Sequence, residues 1–518
     1  MPPSGSEPAP APNPILIVHG WSDNYESFVP LRQWLQKEVR PAVDVFLGDY
    51  DSMEDHVTFD HLASGLQARF DELEAQKVLT LRPYSLDVIV HSTGGPVIRH
   101  WLHYYIQDRC NGDTTRCPIR RLIMLAPANF GSRLAVEGKS ALGKIFKGGL
   151  KNGFETGELI LDGLELGSPE LWNMALDDLF GGSAYYPSDP ARGPYVFVFS
   201  GTETYGRLKG LVASGANEDG SDGTIRASSA SLNSILLRLD AHELSAPKLT
   251  AVWPKNLPIA FRLVPGRNHS TIVLKEGDNP DTHPICPLIR SCLAVDSLEK
   301  YNQLRTEFDS QNAAFYATPG NQLHAYQQFV FHVVDQQGDD VPDYRIDFHV
   351  VDDGIKTSDW GTDEANLKAL QKYSDFSDRL QSQVIVRVDR HSENASYRTF
   401  FIDMDGLKKF LDDLRATHPN AYVAMNLDAA GPTKDLGFNT DELQYVPVLR
   451  AIENSGRAAS FFMANTTTLV EIELLSAPTD KVMNIIKPSG QAAASGPAGG
   501  SKPGSSDPSE PVPGQGGG

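Results

Sequence analysis

The chain has 518 residues, and its 46 Lys and Arg stand against 66 Asp and Glu, which gives a formal net charge of −20. At roughly 100–200 residues per domain, this length predicts two to four domains, and the acidic balance argues against nucleic acid as the main ligand because phosphate contacts need clustered Lys and Arg. No apolar run reaches about 18 residues, so the sequence predicts no transmembrane segment.

The first 13 residues form a Pro- and Ala-rich leader that we expect to be disordered. This leader lacks the basic start and the apolar core of a secretory signal peptide. We therefore expect the protein to be cytoplasmic, to be exported without a cleaved signal peptide, or to have had its signal removed from the given sequence.

Short apolar runs alternate with helical patterns in the first half of the chain. The runs are strand candidates, at 15–18, 43–47, 86–90, 122–125, 195–199 and 259–264. Alternating β and α units predict a parallel sheet with helices on both faces. Residues 131–190 interrupt this alternation with Gly-rich stretches and a helical pattern, and we interpret them as a helical insertion above the sheet and a candidate lid.

The character of the chain changes near residues 300–320. Beyond that point apolar and polar residues alternate with period two, as at Phe329, Phe331 and Val333, with one amphipathic helical pattern over 407–414. Several such strands with polar turns predict a mostly-β, sandwich-like domain over 320–480, separate from a catalytic domain over 14–310. Residues 488–518 are rich in Gly, Pro and Ser and are predicted to be a disordered tail.

The motif with the strongest chemical meaning is His91-Ser92-Thr93-Gly94-Gly95, which directly follows the apolar run at 86–90. A strand that runs into a tight turn with a serine, followed by a helix, is the context of a nucleophile elbow. Small flanking residues permit the turn, and the N-terminus of the helix favours the negative charge that develops on an oxyanion. Val90 departs from the pattern, since a small residue is usual two positions before the serine.

A second motif, His19-Gly20-Trp21, ends the first strand candidate. A His-Gly pair at this point of such a fold supplies a backbone N–H to an oxyanion hole. The sequence therefore predicts the backbone N–H groups of Trp21 and Thr93 as the two oxyanion donors.

An acid and a base for Ser92 have candidates further along the chain. Asp222 lies in a polar loop, where a carboxylate would hold the histidine tautomer, and Asp219 is its rival three residues earlier. His269 follows the last strand candidate, as a general base would, while His242 and His283 are weaker alternatives. The order Ser, Asp, His is the one found in α/β-hydrolases.

Five stretches together resemble the α/β-hydrolase lipases and esterases, including those related to GPI inositol-deacylases. They are ILIVHGW, VIVHSTGG, LAPANFGS, SDGTIRASS and VPGRNHSTIV, and the likeness covers roughly residues 14–300. The resemblance implies the α/β-hydrolase fold and a catalytic triad of Ser92, Asp222 and His269. It also implies an acyl-binding loop after the strand that follows the elbow, and the predicted substrate-binding residues are His19, Gly20, His91, Asn129 and Phe130.

These features predict a serine hydrolase that cleaves carboxylic esters of lipid or acyl substrates. The alternatives are an acyltransferase or thioesterase with the same triad, or a catalytically silent module that binds a partner through its C-terminal domain. We expect no cofactor and no metal. The C-terminal β-domain is a candidate for binding a lipid interface or a protein, and the pairs Cys110/Cys117 and Cys286/Cys292 leave free thiols and local disulfides as open alternatives.

Overall fold

The structure is a computed structural model. It describes residues 12–21, 23–136, 157–186, 189–205, 218–240, 248–255, 258–321, 323–352, 371–440, 443, 446–450 and 462–479. The predicted tail, most of the predicted leader, part of the candidate lid and His242 lie outside these residues.

A central sheet of six parallel strands forms the first half of the protein, in the order β2-β1-β3-β4-β5-β8. Its strands are β1 (Ile15–Val18), β2 (Val45–Gly48), β3 (Leu86–His91), β4 (Ile119–Leu125), β5 (Tyr195–Gly201) and β8 (Ala260–Val264). The predicted parallel sheet is confirmed, and each predicted strand is present within a few residues of its expected bounds.

Helices cover both faces of the central sheet, as expected for strands that are apolar on both sides. They are α1 (Val29–Trp34), α2 (Phe59–Ala75), α3 (Gly94–Tyr104), α4 (Arg133–Val136), α5 (Glu158–Gly163), α6 (Pro169–Asp178), α7 (Ala227–Ala230), α8 (Ile285–Leu293) and α9 (Leu298–Tyr316). Short 3-10 turns occur at Tyr25–Phe28 and Thr114–Arg116, and π-helical turns extend α1 and α3 at Leu35–Val39 and Tyr105–Arg109.

Strand alternation divides the core of this half into two layers. On β3, Val88 and Val90 belong to the layer that contains Val97 and Trp101 of α3, whereas Ile89 belongs to the opposite layer with side chains of α1, α8 and α9. Successive side chains of a strand point to opposite faces, so one buried strand supports both layers. Val90 is fully buried in the first layer, so its branched side chain packs in the core and away from solvent.

A second sheet of six strands contains segments from both halves of the sequence. Its order is β11-β12-β9-β16-β6-β7, with strands β6 (Ser234–Asp240), β7 (Lys248–Val252), β9 (Tyr326–Asp335), β11 (Ile385–Arg390), β12 (Tyr397–Asp403) and β16 (Thr466–Leu474). β16 pairs in parallel with both β6 and β9. The predicted β-rich C-terminal region is confirmed, but β6 and β7 were not predicted, and they join its sheet from within the segment assigned to the catalytic domain.

The remaining C-terminal elements pack beside the second sheet. The helical elements are α10 (Ser374–Arg379), a π-helical turn (Leu380–Val384) and α11 (Met404–Thr417). A three-stranded sheet consists of β10 (Tyr344–Val351), β13 (Tyr422–Ala429) and β15 (Val446–Arg450), and an antiparallel pair consists of β14 (Leu436–Phe438) and β17 (Ser476–Pro478). The predicted helix over 407–414 corresponds to α11. A third core cluster lies between these elements and the second sheet.

Candidate active site

The candidate residues meet at the carboxyl ends of the central strands. Ser92 follows β3, His19-Gly20-Trp21 follows β1, and His269 follows β8. The loop at 218–231 that carries Asp222 connects β5 to β6 of the second sheet. Ligands of parallel α/β sheets bind at this edge because the loops that leave neighbouring strands converge there.

Ser92 sits in a strained turn. Its φ angle is +54°, a left-handed conformation that residues with a Cβ adopt rarely. Neighbouring backbone passes very close to it: a Cβ on Gly20 would lie 2.6 Å from the Cβ of Ser92, and a Cβ on Gly94 would lie 2.8 Å from the carbonyl oxygen of Val18. Strain of this kind persists only where the surroundings impose it, and it is frequent at functional sites.

Ser92, His269 and Asp222 form a continuous series of hydrogen bonds. His269 Nε2 lies 2.9 Å from Ser92 Oγ, and His269 Nδ1 lies 2.9 Å from Asp222 Oδ2. Because a carboxylate oxygen accepts, Nδ1 carries the proton in the neutral ring and Nε2 offers its lone pair to the Ser92 hydroxyl. His269 and Asp222 are fully buried, so little water competes for these bonds.

The structure distinguishes the two candidate carboxylates. The other oxygen of Asp222, Oδ1, accepts hydrogen bonds from the backbone N–H groups of Thr224 (3.0 Å) and Ile225 (2.8 Å), which fix its orientation. Asp219 instead accepts a hydrogen bond from the hydroxyl of Tyr326 on β9, at 2.9 Å. The structure therefore brings Asp222, not Asp219, to His269.

His283 does not take part in the series around Ser92. Its Nε2 lies 3.2 Å from the carbonyl oxygen of Thr271 and 3.8 Å from Asp278 Oδ2. Burial lowers its pKa, with a smaller contribution from Arg267. Its position gives it no role as the base for Ser92.

His19 contacts the loop backbone at the end of β1 and not the cavity. Its Nδ1–H donates to the carbonyl oxygen of Gly20 at 2.8 Å, and its Nε2 accepts from the backbone N–H of Tyr50 at 3.2 Å. The ring also stacks on Tyr50, with centroids 4.4 Å apart. Because the Gly20 carbonyl and the Trp21 N–H share one planar peptide unit, this bond fixes the direction of the Trp21 N–H.

His91 lies beside His269. Its Nε2–H donates to the carbonyl oxygen of His269 at 2.9 Å, and the two rings are 4.8 Å apart. Burial, followed by the nearby His269, lowers the pKa of His91 well below its ordinary value, so His91 is neutral near pH 7. Its Nδ1 is buried and accepts no hydrogen bond from the residues that the structure describes.

A narrow cavity of about 30 Å³ opens beside Ser92. Its lining consists of Trp21, Ser92, Thr93, Ala128, Ser132, Ala135, Leu161, Leu164, Thr224 and Ile225. Trp21 and Thr93, the predicted oxyanion donors, thus flank the serine. The predicted substrate-binding residues are not among this lining, and their role in substrate binding stays a prediction; they are His19, Gly20, His91, Asn129 and Phe130.

Asn129 and Phe130, the two predicted residues of the loop after β4, contact other parts of the protein. Asn129 Nδ2 donates to the carbonyl oxygen of Ala230 at 2.8 Å, and the Phe130 side chain is buried in the core. The cavity is lined instead by their neighbours Ala128 and Ser132. The quoted motifs contained both neighbours, so the sequence indicated the right loop but could not tell which of its side chains turn inward. Leu161 and Leu164 lie within residues 131–190, and no sequence motif marked them as cavity residues.

Two groups of described side chains have the composition of a cation site. They are Asp60 with His100 and Glu170, and His324 with Asp403 and Asp405.

All four cysteines are free and buried, and burial raises the pKa of the thiols of Cys117 and Cys286 to about 12. None of the helices in the described part of the chain is both long and apolar enough to cross a membrane.

A parallel sheet whose central strand ends in a strained serine turn, with an acid and a base on later loops, defines the α/β-hydrolase class. No protein-family model matches the chain, and no curated protein sequence matches it.

Among solved structures, phospholipase PlaB from Legionella pneumophila is similar with a TM-score of 0.72 and 27% identity, over 93% of this chain and 98% of that chain. The same phospholipase in complex with thio-NAD gives a TM-score of 0.71 and 26% identity, over 92% of this chain and 97% of that chain. The chain is an α/β-hydrolase of the lipase and esterase kind, and the predicted resemblance is confirmed at that level.

Proposed function

We propose that the protein is a serine hydrolase that cleaves carboxylic esters of lipid or acyl substrates. The observation that carries the proposal is the series from Ser92 Oγ through His269 to Asp222, with 2.9 Å at both links. A nucleophile, a base and an orienting carboxylate in this arrangement are the working parts of acyl-transfer catalysis.

In the proposed reaction Ser92 Oγ attacks the ester carbonyl carbon while His269 Nε2 takes the hydroxyl proton. The tetrahedral intermediate then loses the alcohol, which leaves with the proton from His269, and the acyl group remains on Ser92. Water attacks this acyl-enzyme with His269 again as the base, and the carboxylic acid is released. Asp222 stabilises the imidazolium that forms in both steps without itself taking the proton.

The backbone N–H groups of Trp21 and Thr93 are the proposed oxyanion donors. Both residues line the cavity beside Ser92. His19 is proposed as a positioning residue for the Trp21 N–H, through its 2.8 Å bond to the carbonyl of Gly20. Donors fixed before the reaction stabilise the oxyanion without the cost of reorganisation.

A lipid ester is the proposed substrate class for two reasons. The similar solved structure is named a phospholipase, and the cavity is lined mainly by apolar side chains, including Leu161, Leu164 and Ile225. Inositol deacylation, acyl transfer and thioester hydrolysis stay predictions from the sequence, as do the lid role of 131–190 and the cellular location.

Turnover of a panel of substrates tests the proposal. We expect the wild type to hydrolyse nitrophenyl esters and a phosphatidylcholine, and Ser92→Ala to lose about 10³-fold or more in kcat. A thioester and an added acyl acceptor in the same panel separate the alternatives. If the wild type hydrolyses none of these esters, the proposal is refuted.

A further inference from the structure

One wall of the Ser92 cavity is connected to the second sheet through a buried carboxylate. Leu164 lines the cavity, and the next residue, Glu165, is 3% exposed. Its Oε1 accepts from the backbone N–H of Ser392 at 2.7 Å, and its Oε2 accepts from the Ser392 hydroxyl at 2.6 Å. Ser392 lies in the turn between β11 and β12.

The backbone at Leu164 and Glu165 also contacts a second part of the cavity wall. The Ser132 N–H donates to the carbonyl oxygen of Leu164 at 2.8 Å, and Ser132 also lines the cavity. Gly131 approaches so closely that a Cβ there would lie 2.7 Å from the carbonyl oxygen of Glu165. A shift of Glu165 would therefore move two walls of the cavity together.

Among the described residues, Ser392 donates both hydrogen bonds that the buried carboxylate of Glu165 accepts. The cation candidate nearest to it among the described residues is His391, whose Nε2 is 4.0 Å from Glu165 Oε2. A buried carboxylate is costly unless hydrogen bonds replace its water. Loss of the Ser392 hydroxyl would thus favour movement of Glu165 towards water, and Leu164 with it.

The cavity itself is small. Its volume of about 30 Å³ compares with roughly 300 Å³ or more for a typical site that encloses a whole ligand. A long acyl chain needs more volume than this, and outward movement of Leu161 and Leu164, two of the larger apolar residues of the lining, would provide it. A short acyl group needs much less movement.

We propose that the Glu165–Ser392 contact limits the acyl chain length that the Ser92 site accepts, so that the C-terminal region acts as a specificity element of the active site. This inference rests on the proposed ester hydrolysis at Ser92. Glu165 and Ser392 are positioning residues here, because they act on the substrate through Leu164.

The test compares kcat/KM for nitrophenyl butyrate and nitrophenyl decanoate in the full-length protein. We expect Ser392→Ala and Glu165→Gln to raise the ratio of decanoate to butyrate at least fivefold over the wild type, with the change mainly in KM. Ser392→Thr keeps the hydroxyl and the N–H and should retain the wild-type ratio. Ser392→Ala keeps the backbone N–H bond to Glu165, so we expect it to fold.

A matched control breaks a different hydrogen bond between the two halves of the chain. The hydroxyl of Tyr316 on α9 donates to Asn465 Oδ1 at 3.0 Å, and Tyr316→Phe should leave the ratio unchanged. An unchanged ratio in Ser392→Ala and Glu165→Gln, an equal rise in Tyr316→Phe, or failure of both variants to fold would each overturn the inference. A wild type without any ester turnover would refute the proposed function instead.

Discussion

Strand ends of the central sheet place Ser92 and His269, whereas described residues of the second sheet and its turns bind residues that neighbour the cavity lining. Gln328 on β9 donates to the carbonyl oxygen of Phe130 at 3.1 Å, and Ser392 binds Glu165. The central sheet therefore carries the reacting groups, while the second sheet fixes the loops around them. Asp222 lies in the segment of the chain between β5 of the first sheet and β6 of the second.

Removal of the C-terminal strands of the second sheet should have the largest effect on the protein. β6 lies between β16 and β7 and pairs with β16 over Ser234–Asp240. A chain ending at residue 321 would lose β16 and would expose Ile235 and Leu239, which pack against C-terminal side chains in the third core cluster. We expect no cooperative thermal unfolding of the 1–321 fragment by circular dichroism. A chain ending at 479 keeps every described element and is the control.

If the 1–321 fragment instead unfolds cooperatively and hydrolyses soluble esters, the second sheet is an accessory domain. If that fragment loses activity on aggregated lipid but not on soluble esters, the C-terminal region is an interface-binding module. The central sheet would then fold without the second sheet, contrary to our expectation.

The two aspartates of the 218–231 loop face different regions of the protein. Asp222 faces His269, and Asp219 faces Tyr326 of the second sheet. Asp222→Asn should lower kcat by about 10⁴-fold, because an amide no longer favours the Nδ1–H tautomer and cannot stabilise the imidazolium. Asp219→Asn should change kcat by less than about threefold, since it touches none of the reacting groups.

Steady-state kinetics on a soluble nitrophenyl ester measure both variants, and thermal melts check that they fold. Full turnover by Asp222→Asn together with loss of turnover by Asp219→Asn would show that the carboxylates have the opposite roles.

Two histidines, the buried His91 of the first region and the partly buried His332 of the second, should give a smaller and pH-dependent difference. Burial lowers the pKa of both His91 and His332. As pH falls below about 6.5, each histidine binds a proton in the unfolded chain but stays neutral in the native protein. The free energy of unfolding therefore drops by about 1.4 kcal/mol per pH unit for each histidine until the pH reaches its native pKa. The stabilisation is thus complete above pH 6.5 and lost on acidification.

Denaturant unfolding between pH 4.5 and 7.5 measures this slope. Both His91→Gln and His332→Gln should flatten it, but only His91→Gln should lower kcat, because only His91 holds the backbone of His269. Equal kcat values for the two variants at pH 7 would show that His91 does not position His269.

The sequence predicted the central sheet and the residues around Ser92 because each depends on a local pattern. A strand buried on both faces needs a continuous apolar run, such as Ile15–Val18, and a strained turn needs small neighbours such as Gly94. Asp222 and His269 could be ranked from their loops, although the rival carboxylate Asp219 could be set aside only by geometry.

Other features depend on contacts between residues far apart in the chain. β6 joins a sheet whose other neighbouring strand, β16, lies more than two hundred residues away, and no local signal marks that pairing. Glu165 is a single carboxylate in an irregular segment, and only its contact with Ser392, 227 residues later, gives it meaning. Asn129 and Ala128 are adjacent, and only the folded loop decides which one faces the cavity.

Covalent labelling with a fluorophosphonate probe, followed by mass spectrometry of the peptides, tests whether Ser92 is an activated nucleophile. We expect one adduct on the peptide that contains Ser92, none in Ser92→Ala, and much slower labelling in His269→Ala. An unlabelled wild type, or undiminished labelling of Ser92→Ala, would contradict this expectation.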